Sequence, residues 1–356
     1  MADTIAGGDG ESLGEITSTS TTFASKVAVT PTLVSGTTYL IIWSCQTANN
    51  NTGGGCTVRL RDHTGTATLQ ETATVPKDTT DYILQGSAAT FTAPASAARE
   101  FRLDFNQEGS GTAAIKNARI LILALDAGDF AASSTGSSST SSGTPQDKVS
   151  LSVNGAAAGD YLFVAGAMCG PTDELHTEIR GLKTDGTTAV NTAGGFNYFT
   201  TLGAPWAAIS VETLSGANVS AKIQYRSLDG GSVDILGAHL VAIDTSSLGD
   251  SYAYTLDEID DGGTSSVIGD SETLSGDGVD TVGGDVLVFA AINYNGDGTT
   301  VSSFVDFVEG STSIIESFSE DRGADNDDTA GIVAFRSASA NDPETWKWRR
   351  RSESGS

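Results

Sequence analysis

The sequence predicts an all-β protein of three tandem antiparallel β-sandwich domains, and three observations lead there. The strand-length apolar run Tyr39-Leu40-Ile41-Ile42-Trp43 comes back as Tyr161-Leu162-Phe163-Val164-Ala165 and as Val286-Leu287-Val288-Phe289-Ala290. Their first positions, 39, 161 and 286, lie 122 and 125 residues apart, which is the signature of one domain copied in tandem. Each run follows a glycine-bearing turn, Ser35-Gly36-Thr37-Thr38, Ala158-Gly159-Asp160 or Gly283-Gly284-Asp285, and its continuous apolar character predicts a short strand buried on both faces. Strand-length runs rich in Val, Ile, Thr, Phe and Tyr recur along the chain, while long stretches with helical spacing are hard to find.

A length of 356 residues suits two to three domains, and copies of roughly 110 residues each have room for their own cores. The expected layout is an N-terminal arm over 1–16, a first sandwich over 17–126, a Ser/Thr/Gly linker over 127–147 and a second sandwich over 148–244. An acidic linker over 245–268 and a third sandwich over 269–356 complete it.

The arm is Gly-rich and acidic and has little apolar content of its own. Between Thr17 and Pro31, Phe23, Val27 and Val29 alternate enough to predict a first strand. The organising strand follows, then the turn cluster Asn49 to Gly55, then Cys56-Thr57-Val58-Arg59-Leu60-Arg61, whose period of two is that of a half-buried strand. Phe101 to Phe105, a turn at Glu108-Gly109-Ser110-Gly111 and the apolar run Ala118 to Asp126 close the unit. Ala131 to Gly143 is almost wholly Ser, Thr, Gly and Ala, which predicts a flexible linker.

The second unit repeats the order, with Val149 to Val153, the organising strand, His176 to Leu182, Ala221 to Arg226, a turn at Asp229-Gly230-Gly231 and Ala238 to Asp244. Ala118-Arg119-Ile120-Leu121 answers to Ala238-His239-Leu240-Val241. In the third unit Trp346-Lys347-Trp348-Arg349 stands where Leu103 to Phe105 and Ile223 to Tyr225 stand, and a turn follows at Ser352 to Ser356. The closing strand begins 79 residues after Tyr39 and 77 after Tyr161, yet only 70 residues follow Val286. The third sandwich is therefore expected to lack its last strand and to accept one from another chain, or from the arm of a neighbouring copy, by β-augmentation. The alternatives are a shorter unit that closes differently or a chain cut short in preparation. The residues expected to receive the strand are Trp346, Trp348, Arg349, Arg350 and Arg351, the last three being a basic run suited to a neighbour's acidic surface.

A net charge of −26, from 45 acids and 19 bases, opposes binding to nucleic acid and helps a crowded assembly stay dissolved. It is concentrated late, with 19 acids and the single base Arg322 between Asp250 and Asp328. The first ten residues have neither a basic nor an apolar segment of a leader, so secretion is not expected. No apolar run reaches membrane-spanning length, and a soluble protein is expected. Cys45 and Cys56 flank one loop and are placed for a bridge across a hairpin. Free, buried thiols are the alternative and are preferred, because Cys169 has no evident partner.

No catalytic constellation emerges, and an enzyme is not expected. The three histidines, His63, His176 and His239, all lie in strand or turn patterns, and GxSxG, HExxH and Walker motifs are absent. No cofactor is implied. Asn293 to Gly298 opens like a calcium loop, but its first position is Asn and its twelfth is Phe304, so a hairpin turn is the better reading. The acidic runs Asp257 to Asp261 and Asp325 to Asp328 offer only a weak case for Ca²⁺. Trp43, Trp346 and Trp348 fall in strand patterns and suit a core, whereas Trp206, after Gly203-Ala204-Pro205, is the candidate for a sugar-binding loop.

Gly36 to Trp43 followed by Thr57 to Asp62, together with Ala158 to Val164, resemble the jelly-roll-like modules of tailed-bacteriophage virion proteins such as head decorations, head fibres and tail fibres. The likeness covers units one and two and part of unit three, through short motifs. It implies synthesis in the host cytoplasm, assembly onto a virion, and partners that are other copies and other virion proteins. The competing class is an adhesin or carbohydrate-binding protein that takes host-surface glycans through loops such as Gln46 to Gly55 or Gly195 to Trp206.

Overall fold

The computed structural model describes residues 7–51, 53–74, 82–170, 177–193, 204–228, 230–247, 269–275, 286–295, 301–309, 312–319, 328–337 and 345–354. Among them the structure is all β, apart from a three-residue 3-10 turn at Thr245–Ser247.

Unit one contains β1 (Gly8–Ser12), β2 (Ile16–Ser18), β3 (Ala24–Val29), β4 (Thr32–Leu33), β5 (Thr38–Asn49), β6 (Gly55–Asp62), β7 (Ala67–Thr74), β8 (Ile83–Thr92), β9 (Ala97–Ala98), β10 (Phe101–Glu108) and β11 (Ala113–Ala124). An inner sheet of order β1-β11-β5-β8, with β2 also on β11, packs on an outer sheet of order β3-β10-β6-β7. The chain turns into β5 through Gly36 at φ 80°, a conformation that costs a residue without Cβ nothing. Tyr39, Ile41, Trp43 and Cys45 then face the unit's own core, between the two sheets. Trp43 Nε1 donates to Gln70 Oε1 at 2.5 Å, and Gln70 Nε2 donates to the Ala88 carbonyl at 3.0 Å, so β7 of the outer sheet is tied to the inner one.

Unit two contains β12 (Phe130–Ser134), β13 (Ser138–Thr140), β14 (Gln146–Val153), β15 (Gly159–Cys169), β16 (Thr177–Leu182), β17 (Ala189–Ala193), β18 (Ala204–Leu214), β19 (Val219–Ser227) and β20 (Val233–Asp244). Its sheets repeat those of unit one, β12-β20-β15-β18 with β13 on β20, and β14-β19-β16-β17. Unit three contains β21 (Gly269–Ser275), β22 (Val286–Asn295), β23 (Val301–Glu309), β24 (Thr312–Ser319), β25 (Asp328–Ser337) and β26 (Thr345–Ser354). Its outer sheet, β21-β26-β23-β24, matches the other two. Its inner sheet pairs β22 with β25, and among the described residues no strand stands beside β22 where β11 stands beside β5 and β20 beside β15.

Two expected segments are corrected. The arm is not detached: Gly8 to Ser12 pair antiparallel with Ile122 to Ala118 of the same chain, and Ile16 to Ser18 pair with Ile115 to Ala113. Nor is 127–147 a flexible linker, since Phe130 to Ser134 and Ser138 to Thr140 pair with β20 in the same way. A sheet edge requires only backbone donors and acceptors, which Ser, Thr and Gly supply as well as any residue. A buried lysine holds each of these edges. Lys26 Nζ donates to the Gly14 carbonyl and Lys148 Nζ to the Gly136 carbonyl, and Lys148 also reaches Ser138 Oγ at 3.0 Å. The acidic linker from 248 to 268 lies outside the described residues.

Candidate functional site

The organising strands use their two faces differently. On β15, Tyr161, Phe163, Ala165, Ala167 and Cys169 face unit two's own core, and on β22 Val288 and Ala290 face unit three's. The intervening residues meet in a fourth core shared by all three units. Leu40, Ile42, Ala88, Leu121 and Leu123 come from unit one, and Leu162, Val164, Ala207, Val241 and Ile243 from unit two. Unit three supplies Ile332 and Ala334, with Leu287, Phe289 and Ala291 packed against them. The double apolar face read from the sequence is thus one face for the sandwich and one for the junction.

The junction runs head to tail. In unit one β8 lies against β15 and β20 of unit two, and in unit three β25 lies against β5 and β11 of unit one. Completing the ring, β18 of unit two lies against β22 of unit three. Heterologous contacts of this kind close into a ring when the rotations add up, and three sandwiches on one chain do so here.

Backbones approach closely at the junction. A Cβ on Gly166 would sit 2.3 Å from the Ala88 carbonyl oxygen, and one on Gly86 would sit 2.4 Å from that of Ile332. Polar groups fix the register. Ser87 Oγ donates to the Trp206 carbonyl at 3.1 Å, and His239 Nδ1 accepts from the Thr90 amide at 3.1 Å. Burial pushes the His239 imidazole down to about 4. Arg119, paired opposite Ser44 as His239 is opposite Gly166, turns to unit three, with its guanidinium 5.4 Å from the centre of the Phe335 ring.

The residues expected to receive a foreign strand stand elsewhere. Trp346, Trp348, Arg349 and Arg350 lie on β26, which is paired on one side with β21 and on the other with β23, and Arg351 continues the pairing with β23 opposite Phe304. This strand has no free edge there, and among the described residues it is β22 that is paired on one side alone. The expected sugar-binding loop residue is corrected too. Trp206 is fully buried in unit two's core, on β18 opposite Ala167, and offers no face to a ligand.

No family model matches the sequence, and no curated protein does. Among solved structures the chain is similar to the triple jelly roll fold of the turret assembly of an archaeal virus. The identity is 9% and the TM-score 0.21, over 92% of this chain and 82% of that one. It is also similar to the VP2 subviral particle of infectious bursal disease virus, at 9% identity and a TM-score of 0.25, over 66% of this chain and 72% of that one. A third similar structure is the CBM22-1-CBM22-2 tandem domain of Xyn10C from Paenibacillus barcinonensis, at 9% identity and a TM-score of 0.19, over 61% of this chain and 83% of that one. These likenesses concern the β-sandwich fold alone.

Among the described residues no group of three His, Cys, Asp or Glu side chains is placed to hold a metal, and no helix is long and apolar enough to cross a membrane. Asn293 to Asn295, the start of the calcium-loop pattern, lie on β22, and 296–300 fall outside the described residues, as do His176 and Asp257 to Asp261. His63 stands beside its turn, with Nε2 3.9 Å from Glu100 Oε2. All three cysteines are free and buried. The junction residues Thr90 and Gly166 carried no sequence signal of their own, and His239 was marked only as the counterpart of Arg119. Only the apolar residues at alternate positions of the organising strands pointed to a second buried face.

Proposed function

We propose that this chain is a structural subunit of a virion, decorating a bacteriophage capsid or forming part of a tail or fibre. The shared core carries the reading. The inner sheets spend their second faces on joining three sandwiches into one block, with Leu40, Ile42, Leu162 and Val164 at its centre. A rigid block with outward-facing sheets suits a building element. Its charge of −26 keeps such an element dissolved at the local density of a repetitive shell.

On this reading the chain is made in the host cytoplasm, its partners are other copies and other virion proteins, and it has no catalytic role. Mass spectrometry and immunogold labelling of purified particles test it. The chain should be present at a fixed copy number per particle, and its absence from washed particles would end the proposal. A glycan array separates the adhesin class, for which selective binding to a host-surface sugar would be the mark. The burial of Trp206 removes the residue that favoured that class.

A further inference from the structure

Among the described residues the inner sheet of unit three leaves one position beside β22 empty, and units one and two each contain a filled copy of that position. The edge of β22 that faces away from β25 pairs with nothing among the described residues, whereas β5 carries β11 and β15 carries β20 at the equivalent edge. Side chains around this edge are correspondingly less covered. Leu287 and Phe289 are only partly buried, while the counterparts of Leu287, Leu40 and Leu162, are 0% and 8% exposed and those of Phe289, Ile42 and Val164, are 1% and 0% exposed. Across the junction Ile209 and Val211 of β18 are also partly buried, although Ala88 and Ala334, which match Ile209 in register, are 0% and 2% exposed. The head-to-tail ring explains the pattern. β8 touches β15, β18 and β20 of unit two, and β25 touches β5, β8 and β11 of unit one, whereas β18 meets β22 and β25 of unit three and, among the described residues, no third strand of that sheet.

We propose that this slot is filled by an extended segment of a different polypeptide, which pairs antiparallel with β22 and completes both the third sandwich and the shared core. The slot is continuous with an interface already built, and its two filled copies define what fits. Opposite the residues that match Leu287, Val288, Phe289 and Ala290, unit one places Leu123, Ile122, Leu121 and Ile120, and unit two places Ile243, Ala242, Val241 and Leu240. The next position, opposite the match of Ala291, holds Arg119 or His239, each of which reaches across to the neighbouring unit. The occupant is therefore a strand with four consecutive apolar residues, because both its faces are buried, followed towards its N-terminus by a long polar one. A second copy of this chain has no free strand of that kind among its described residues, since β11 and β20 are paired on both sides and β1 and β12 lie on them. The slot follows from topology, and only the source of the strand, another virion protein, rests on the assembly reading.

The test uses the full chain and a synthetic peptide with the sequence of residues 233–244, flanked by lysines for solubility. Hydrogen exchange followed by mass spectrometry reads residues 286–295, with β5 and β15 as internal references. The peptide should slow exchange of β22 by about tenfold or more without changing β15. Phe289→Asp should abolish that protection while leaving β5 and β15 as they were, and Phe289→Leu should retain it. Three results would overturn the proposal: no protection by the peptide, protection of β22 in the free chain equal to that of β5, or a dimer of the free chain that protects β22. The first denies the slot, the second assigns it to this chain's own residues, and the third assigns it to a second copy. None of them depends on where in the cell or the particle the protein resides.

Discussion

The backbone amide of Thr90 donates to Nδ1 of His239 at 3.1 Å, and this bond joins unit one to unit two across 149 positions of sequence. The ring also lies 2.9 Å from Thr90 Oγ1. It sits where unit one has Arg119, and it is 5% exposed.

Stability should therefore depend on pH through this histidine. Burial holds its folded-state value near 4, below the 6.5 of an exposed imidazole. Between those values the unfolded chain binds a proton that the folded chain refuses, so stability rises with pH across the window. The contribution is complete above the unfolded value and is lost as pH falls towards the folded one, at up to about 1.4 kcal/mol per pH unit. Urea midpoints of the wild type should drop more steeply on acidification than those of His239→Gln. Parallel slopes for the two proteins would mean that the ring is not buried in its neutral form.

Gly166 should not tolerate a methyl group. The atoms that a Cβ would strike, the Ala88 oxygen at 2.3 Å and nitrogen at 2.4 Å, are backbone and can yield only if the two units separate. Gly166→Ala is expected to cost about 1–3 kcal/mol, as overpacking does, and to speed amide exchange in β8 and β15 together. Gly136→Ala, where a Cβ meets nothing within 4 Å, should stay within about 0.5 kcal/mol of the wild type. Equal stabilities for the two variants would remove the close junction.

Lys26 and Lys148 should act as equivalent clamps. Each is buried, each has its ammonium pushed down by desolvation, and each donates to a glycine carbonyl between the two edge strands of its unit. Replacing either with Met keeps the volume and removes the donor, at a cost of about 1–3 kcal/mol. Exchange should quicken in Gly8 to Ser18 for Lys26→Met and in Phe130 to Thr140 for Lys148→Met, and the double variant should show the sum. Unchanged exchange at those edges would show that pairing alone holds them.

The three thiols should be silent in the native protein. Burial raises the Cys45, Cys56 and Cys169 thiols well above their ordinary range, and the neighbouring Cys56 adds to the effect at Cys45. A thiol-titrating reagent at neutral pH should find none before denaturation and three after it. Two unreactive sulfurs in the denatured, unreduced chain would mean a bridge between Cys45 and Cys56.

The equivalence of Ala118-Arg119-Ile120-Leu121 with Ala238-His239-Leu240-Val241 was legible from residues alone, and the register bears it out, with Arg119 opposite Ser44 and His239 opposite Gly166. Which strand of unit three keeps an unpaired edge was not legible: β26 has β21 and β23 on its two sides, and among the described residues β22 pairs with β25 alone. Trp206 was misread because Gly203 and Pro205 beside it are turn residues, while the pairing with Ala167 makes it part of a strand. The Ser and Thr residues of 130–140 gave no apolar signal because an edge strand is held by its backbone.

Composition and period fixed the sandwich and its threefold recurrence, since a run that is apolar at every position must be covered on both sides. Which surface does the covering lies beyond any local pattern. Leu40, Leu162 and Leu287 are separated by more than a hundred residues each, and only packing three twisted sheets into one ring brings them to a common core. That same closure decides that His239 meets Thr90, across 149 positions of sequence.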